Sequence, residues 1–238
     1  MIKYHKIQHK KIYRSTQLFL NFIKKNENLN NKSIVDIGCG SGSNTIYLAK
    51  KYPSSEIIGI DKDLELINFA KNKAKAKKIT NYKFIKSDIL NMRKKINLKK
   101  IDLVISFHFL SFIDFWYDKS LKEILKLNPK SIAHSSLFYE GSVEAKIYIN
   151  DFSKNDFEGS FYNIFSTKKL KKYLLKKNYP IFKFEKMGID IKLNKPKHDG
   201  MGSYTFNDYK GKKLLKSGPL LLPHGYFYAA KKKVKKIV

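Results

Sequence analysis

The chain has 238 residues and a formal net charge of +29, enough length for one large domain with a real core. Its single cysteine excludes an intramolecular disulfide and a cysteine-rich zinc cluster. Of 49 basic residues only two, Arg14 and Arg93, are arginine. A solvated lysine surface is therefore expected ahead of a surface that reads phosphates or guanine edges specifically.

The opening "MIKYHKIQHKKIYRS" carries charge but lacks the apolar run of a secretory leader. "STQLFLNFIKKN" places Leu18, Phe19, Phe22 and Ile23 at helical spacing, a helix packed outside the core. "SIVDI" is a short β-branched strand, and "SNTIYLAKKYP" a helix opened by a Ser/Asn cap and ended by Pro53. A second strand, "EIIGID", precedes a second helix, "DLELINFAKNKAKAKK", with Leu64, Ile67, Ala70 and Ala74 on one face. "YKFIKSD" is a third strand. "IDLVISF" is a continuous apolar run, expected to be a central strand buried on both faces, and "KSIAHSS" is the fifth.

The most apolar window, "IDLVISFHFLSFIDFW", is broken by Asp102, Ser106, His108 and Asp114. It is too short and polar to span a bilayer, so a cytoplasmic protein with no membrane partner is expected. After residue 140 the periodicity fades, which predicts a lid or an extra layer. Ser166 or Thr167 then caps the helix "KKLKKYLLKKNY". "FKFEKMGIDIKL" and "GPLLLPHGYFYAAKKK" are two strands of an antiparallel hairpin with a long connection.

This alternation predicts an α/β fold, a three-layer doubly wound sheet, mostly parallel with an antiparallel C-terminal hairpin. The expected organisation is a single domain: an N-terminal helical cap over 1–30, a ligand-binding core over 31–137, an insert and helix over 138–180, and the hairpin over 181–238.

The chemistry centres on "SIVDIGCGSGSN". A strand, a glycine loop and a helix let the backbone approach a ligand and present helix N–H groups to it. A P-loop would need a lysine that is absent. A dinucleotide fingerprint would need glycine at position 43, which is Ser43. Asp36 ends strand one, where a carboxylate would attract an ammonium and repel a pyrophosphate. Asp61 ends strand two, nineteen residues after Gly42, where it could take both ribose hydroxyls. Asp88 ends strand three, within reach of an adenine amino group. Each acid alone could cap the following helix; three in register behind a glycine loop point instead to a ligand with a cation, a ribose and an adenine.

That description fits S-adenosylmethionine. "VDIGCGSG", "GIDKD", "KSDIL" and "DLVISFHFL" resemble the successive motifs of class I S-adenosylmethionine-dependent methyltransferases, over about Ser33 to Ser136. The resemblance implies a Rossmann-like methyltransferase fold and a set of roles. Gly38, Gly40 and Gly42 would wrap the methionine part, Asp36 would hold its amino group and Arg14 its carboxylate. Asp61 would hold the ribose and Asp88 with Ile89 the adenine, with Lys62 and Ser106 also in the cofactor site. Cys39 reads as a small filler rather than a nucleophile.

For a hydroxyl acceptor a base must remove a proton, which suits histidine. His108, just past strand four, is the catalytic candidate, and it could equally be an aromatic-flanked wall of the pocket. His134, His198 and His224 rank lower; Tyr139 and Glu140 could face the acceptor. The chain has "SFHF" where amino-group methylases of adenine or glutamine carry an Asp/Asn-Pro-Pro-aromatic turn. It also lacks a catalytic-loop cysteine for cytosine C5 and acidic ligands after strand four, so no metal is expected. The expected acceptor is a small molecule or sugar. The alternatives are an RNA acceptor, argued by charge alone, and a non-catalytic cofactor-binding protein. Oligomeric state is left open.

Overall fold

The computed structural model describes residues 7–96, 100–113, 117–152, 159–197 and 200–231. Five β-branched or apolar runs form parallel strands: β1 (Ser33–Ile37), β2 (Glu56–Asp61), β3 (Tyr82–Lys86), β4 (Leu103–Phe107) and β5 (Ser131–Tyr139). Among them run α1 (Arg14–Lys24), α2 (Ser43–Lys51), α3 (Leu64–Ala76) and α4 (Tyr117–Lys126). A hairpin of β6 (Ala145–Ile149) and β7 (Ser160–Ser166) follows, then α5 (Thr167–Lys176) and β8 (Ile181–Lys186). The chain then forms β9 (Ser203–Asn207), β10 (Lys213–Ser217), β11 (Leu220–Leu221) and β12 (His224–Ala230).

The main sheet has the order β3-β2-β1-β4-β5-β12-β8. β12 runs antiparallel to both of its neighbours, with Phe227 opposite His134 on one side and Phe184 on the other. The expected antiparallel pair at the C-terminal end is thus β8 with β12. The order reverses at β1, between β2 and β4, so the crevice of a doubly wound sheet opens beside the strand that carries the glycine loop. β4 is buried on both faces, as its unbroken apolar run requires.

Side-chain alternation sends the two halves of each strand into different cores. On one face Ile34, Ile57, Leu103 and Ile105 meet Phe19, Leu20 and Ile23 of α1 and Leu48 of α2. On the other Val35, Ile58, Val104 and Ile132 meet Leu121 and Ile124 of α4 and Leu170 and Leu174 of α5. Three layers result, as expected. α3 closes a smaller cluster in which Ile67, Ala70 and Ala74 pack with Ile46 and Phe84. Leu64, assigned to that face from its spacing, is 54% exposed because it lies in the first turn, beyond the edge of the packed stripe.

Three local expectations are corrected. α2 has no Ser/Asn cap: its N-cap is Gly42 in the left-handed region, and Ser43 is already helical. β5 runs to Tyr139, through the boundary expected at 137. The aperiodic insert contains the β6–β7 hairpin, and β7 pairs parallel with the outer half of β5, from Leu137↔Ile164 to Tyr139↔Ser166. β4 pairs with the inner half, so β7 takes over the edge of β5 where β4 stops. The long connection in the tail also folds, as a small antiparallel sheet of β11, β10 and β9. Ser166 caps α5 as anticipated, accepting the Lys169 N–H at 3.1 Å.

Candidate active site

The glycine loop is tied to the end of β2. The Gly38 and Cys39 N–H groups both donate to the Ile60 carbonyl, at 2.9 and 3.0 Å, and the Gly40 N–H donates to Asp61 Oδ2 at 2.8 Å. Gly38, Gly40 and Gly42 have φ of +69°, +54° and +76°, a region that costs L-residues about 1–2 kcal/mol each. Their surroundings differ. A Cβ on Gly38 would lie 2.3 Å from the Phe109 ring, so this glycine lets a ring from beyond β4 lie on the loop. A Cβ on Gly42 would meet Phe84 and Ala70 at 2.6 and 2.7 Å. A side chain at Gly42 would therefore collide with the contact of α2 with α3 and β3, a packing requirement that its expected place in the loop did not anticipate.

Asp36 lies opposite Gly59 on β2 and Ile105 on β4 and is 1% exposed. Its Oδ2 accepts the Thr45 hydroxyl at 2.7 Å, while Oδ1 finds no hydrogen-bond partner among the described residues. Burial first, and then the charge of Asp61, lift its carboxyl to about 7 against the pull of Thr45. Asp102, at the opposite edge of the sheet, shows what a satisfied acid looks like. It pairs with Lys130 at 2.8 Å and accepts the Ser33 N–H at 3.1 Å. Burial pushes Asp102 up, yet these partners hold it below the usual carboxylate range. The half-satisfied Asp36 is the exception, and an orphaned buried carboxylate oxygen at a glycine loop marks the place of a missing donor.

Asp61 stands beside Asp36 and keeps accepting capacity. It takes the Gly40 N–H on one oxygen and the Asp63 N–H, at 3.0 Å, on the other, which leaves lone pairs on both. It is not the helix cap: Asp63 caps α3 by accepting the Leu66 N–H. Asp88 is exposed and accepts the Leu90 N–H of its own turn at 2.8 Å. The three acids share one edge, since the Asp61 carbonyl accepts the Ser87 N–H. Tested against the methyl donor that the motifs imply, the donor set fits: an orphaned acid for an ammonium and a second acid with free lone pairs for a diol.

Ile89 and Lys62 directly follow Asp88 and Asp61, whereas Ser106 and Arg14 stand elsewhere. Ile89 is buried in the core with Ile58, Ile60 and Met92. Ser106 lies opposite His134 inside the sheet, fully buried, because alternation turns it away from the loop. Lys62 is exposed. Arg14 donates through Nε to Asp190, at 2.9 Å to Oδ2, and to Gln17, so its fork is already engaged by a carboxylate of the chain. Cys39 is half-buried, and burial next to Asp36 and Asp61 raises its thiol well above the usual range. It stays a protonated filler.

His108 adopts φ +59° immediately after β4, a strained setting for a non-glycine residue. Its N–H donates to the Ser135 carbonyl at 2.9 Å, and its carbonyl accepts the Ser111 hydroxyl at 2.8 Å. The ring meets the Ser135 hydroxyl at 2.9 Å through Nε2 and stands edge-on to the His224 ring, 5.2 Å between centroids. Burial, and secondarily His224, pushes His108 down to about 3, and burial holds His224 near 4. Both are neutral imidazoles at physiological pH. His134 is fully buried against Phe227; His198 lies outside the described residues. Tyr139 is half-exposed, and Glu140 pairs with Lys186. Thr45, Ser135 and Asn163 belong to the surroundings of the site without having been expected there. The last is fully buried and donates to the Ile113 carbonyl at 2.7 Å, which ties the turn after His108 to β7. Their one signal is a polar residue inside an otherwise apolar element.

A model of a methyltransferase domain matches residues 28–178. Two curated relatives share part of this region. A putative methyltransferase, 235L, of Invertebrate iridescent virus 6 is 32% identical over 93 residues, 39% of this chain and 32% of that protein. A probable ribosomal RNA small subunit methyltransferase A of Methanosphaera stadtmanae is 35% identical over 88 residues, 37% and 30% of the two chains. The match thus spans about a third of the length of each of these two relatives. Among solved structures, the magnesium protoporphyrin IX methyltransferase of Synechocystis PCC 6803, with bound SAH, superposes with a TM-score of 0.57 at 15% identity. That superposition covers 92% of this chain and 82% of the other.

Proposed function

Because the chain belongs to the methyltransferase-domain family, we propose that it transfers a methyl group from S-adenosylmethionine to a small-molecule acceptor, at a hydroxyl. The observation that carries the cofactor half is the orphaned Oδ1 of Asp36 beside the free lone pairs of Asp61. When bound, S-adenosylmethionine supplies a methyl on a sulfonium whose leaving group is already activated. The protein's part is to bind, align and exclude water. Asp36 pairs with the ammonium, Asp61 with the ribose, and Asp88 faces the adenine. Phe109, lying on Gly38, walls the methionine side. His108, held neutral and aligned by Ser135, faces the acceptor hydroxyl as the proton-accepting group.

The acceptor half rests on construction around the outer edge of the sheet. β6 and β7 extend it past the end of β4, and β9 to β11 add a second sheet. Such walls suit an enclosed small molecule better than a strand of RNA, and the relatives of this fold include proteins named for either kind of acceptor. No helix of the described residues is long and apolar enough to cross a membrane.

Incubation with labelled S-adenosylmethionine and a cell extract tests the reading. Label is expected in the small-molecule fraction. Confinement to nuclease-sensitive material would transfer the assignment to RNA, and no transfer at all would leave a cofactor-binding protein. Within the site, Asp61→Ala is expected to weaken cofactor binding by about 1–3 kcal/mol, the worth of hydrogen bonds to a charged group. Asp63→Ala, which removes only the cap of α3, should leave binding unchanged while costing about 1 kcal/mol of stability. Titration calorimetry on the two variants separates these outcomes, and equal affinities would refute the ribose role.

A further inference from the structure

A cavity of about 460 Å³ lies between the start of β12, the segment after β8 and the small sheet. Met187, Ile189, Leu214 and Leu222 give it apolar walls, and His224 is among its lining residues. The ring of His224 stands edge-on to His108, so the cavity adjoins the residue that packs on the proposed base. Both His224 nitrogens lack a hydrogen-bond partner among the described residues.

The polar side of the lining is cationic and holds no acid: Lys186, Lys212 and Lys213. Lys186 is neutralised by Glu140. Neither Lys212 nor Lys213 forms an ion pair with a described carboxylate, and the acid that Lys213 feels, Asp190, is committed to Arg14. Two lysines without an ion pair to a described carboxylate, beside apolar walls, favour a ligand with a negative end and a hydrocarbon body. A nucleic-acid strand does not suit a chamber of this volume.

We infer that this cavity is the acceptor site, and that the acceptor is an apolar organic anion whose charged end meets Lys212 and Lys213. The inference depends on the methyl-transfer reading only in calling the ligand the acceptor, because binding is measured without the methyl donor. Calorimetric titration of the full chain with octanoate, octan-1-ol and acetate is the test. Octanoate is expected to bind at least tenfold more tightly than either the alcohol or acetate. Lys212→Met with Lys213→Met should remove that advantage while leaving octan-1-ol binding unchanged; Lys213→Gln alone serves if the double variant melts early. Octyl phosphate in a further arm decides whether carboxylate or phosphate is the preferred charged end. Octanoate binding no better than octan-1-ol, or unaltered in the lysine variants, overturns the inference. Failure of the wild type to bind S-adenosylmethionine in the same preparation would strike the methyl-transfer reading instead and leave the anion site standing.

Discussion

His108→Ala is expected to retain cofactor binding and to lose about a hundredfold in turnover on the acceptor recovered from the extract. General-base catalysis contributes about 10²–10⁴-fold when the base is matched to the working pH. His108 is not so matched: burial holds its ring near 3, so it is a weak acceptor of protons and the smaller end of the range applies. What it offers is alignment, through the Ser135 hydroxyl at 2.9 Å and a backbone latched on both sides. The pH profile follows with a definite sign. A histidine whose folded value lies below the usual 6.5 stays neutral as pH falls through that value, so kcat should show no step from this ring between about 5 and 8. Ser135→Ala, which frees the ring without removing it, should lower kcat and leave KM for the methyl donor unchanged. Full activity of His108→Ala would reduce the residue to a wall, and a kcat step near 6.5 would mean the ring is hydrated.

Asp36→Asn is expected to stabilise the protein without ligand and to cripple ligand binding. The carboxyl sits at about 7 in the folded chain and near 4 when unfolded. The folded form therefore holds a proton that the unfolded form has released between about pH 4 and 7. Stability falls with rising pH across that window, and the full penalty is present above pH 7. Asparagine keeps an oxygen for the Thr45 hydroxyl and carries no charge. Chemical denaturation at pH 8 should show a gain on the order of 1–3 kcal/mol that vanishes near pH 4. In the same variant S-adenosylmethionine should bind about 10- to 100-fold more weakly, because its ammonium loses a charged partner. A variant that is less stable at pH 8, or that binds the cofactor normally, would show that the buried acid has another partner.

The core of the fold and the gathering of three acids at one edge of the sheet were legible in the sequence for one physical reason: both are local. β1 through α3 alternate apolar runs with amphipathic segments, and each acid falls at the end of its own strand, so register in the chain becomes register in space. What depends on distant chain was not legible. Arg14 meets Asp190, 176 positions away, and nothing in the residues around either announces the pairing. The side chain of Ser106 points away from the loop because of strand alternation, which a motif match does not weigh. The packing requirement at Gly42 depends on Phe84 and Ala70, contributed by two later elements. The small sheet was missed because β9 and β10 lack the period of two that marks a half-buried strand; β6 does alternate, but an aromatic, Tyr148, stands on its exposed face and hides the pattern in the residues.

The position of β12 has a bearing on how the molecule comes into being. This strand, at residues 224–230, is threaded between β5 and β8 and brings Tyr226 and Tyr228 into the core that begins with Phe19. Until those residues leave the ribosome, β5 has a bare edge and the first helix lacks Tyr226 and Tyr228 from its packing. The contacts that complete the sheet span nearly the whole chain, the arrangement that slows folding and leaves intermediates with unpaired edges. The strands from β1 to β5 can pair as they emerge, but the sheet is complete only when β12 is in place.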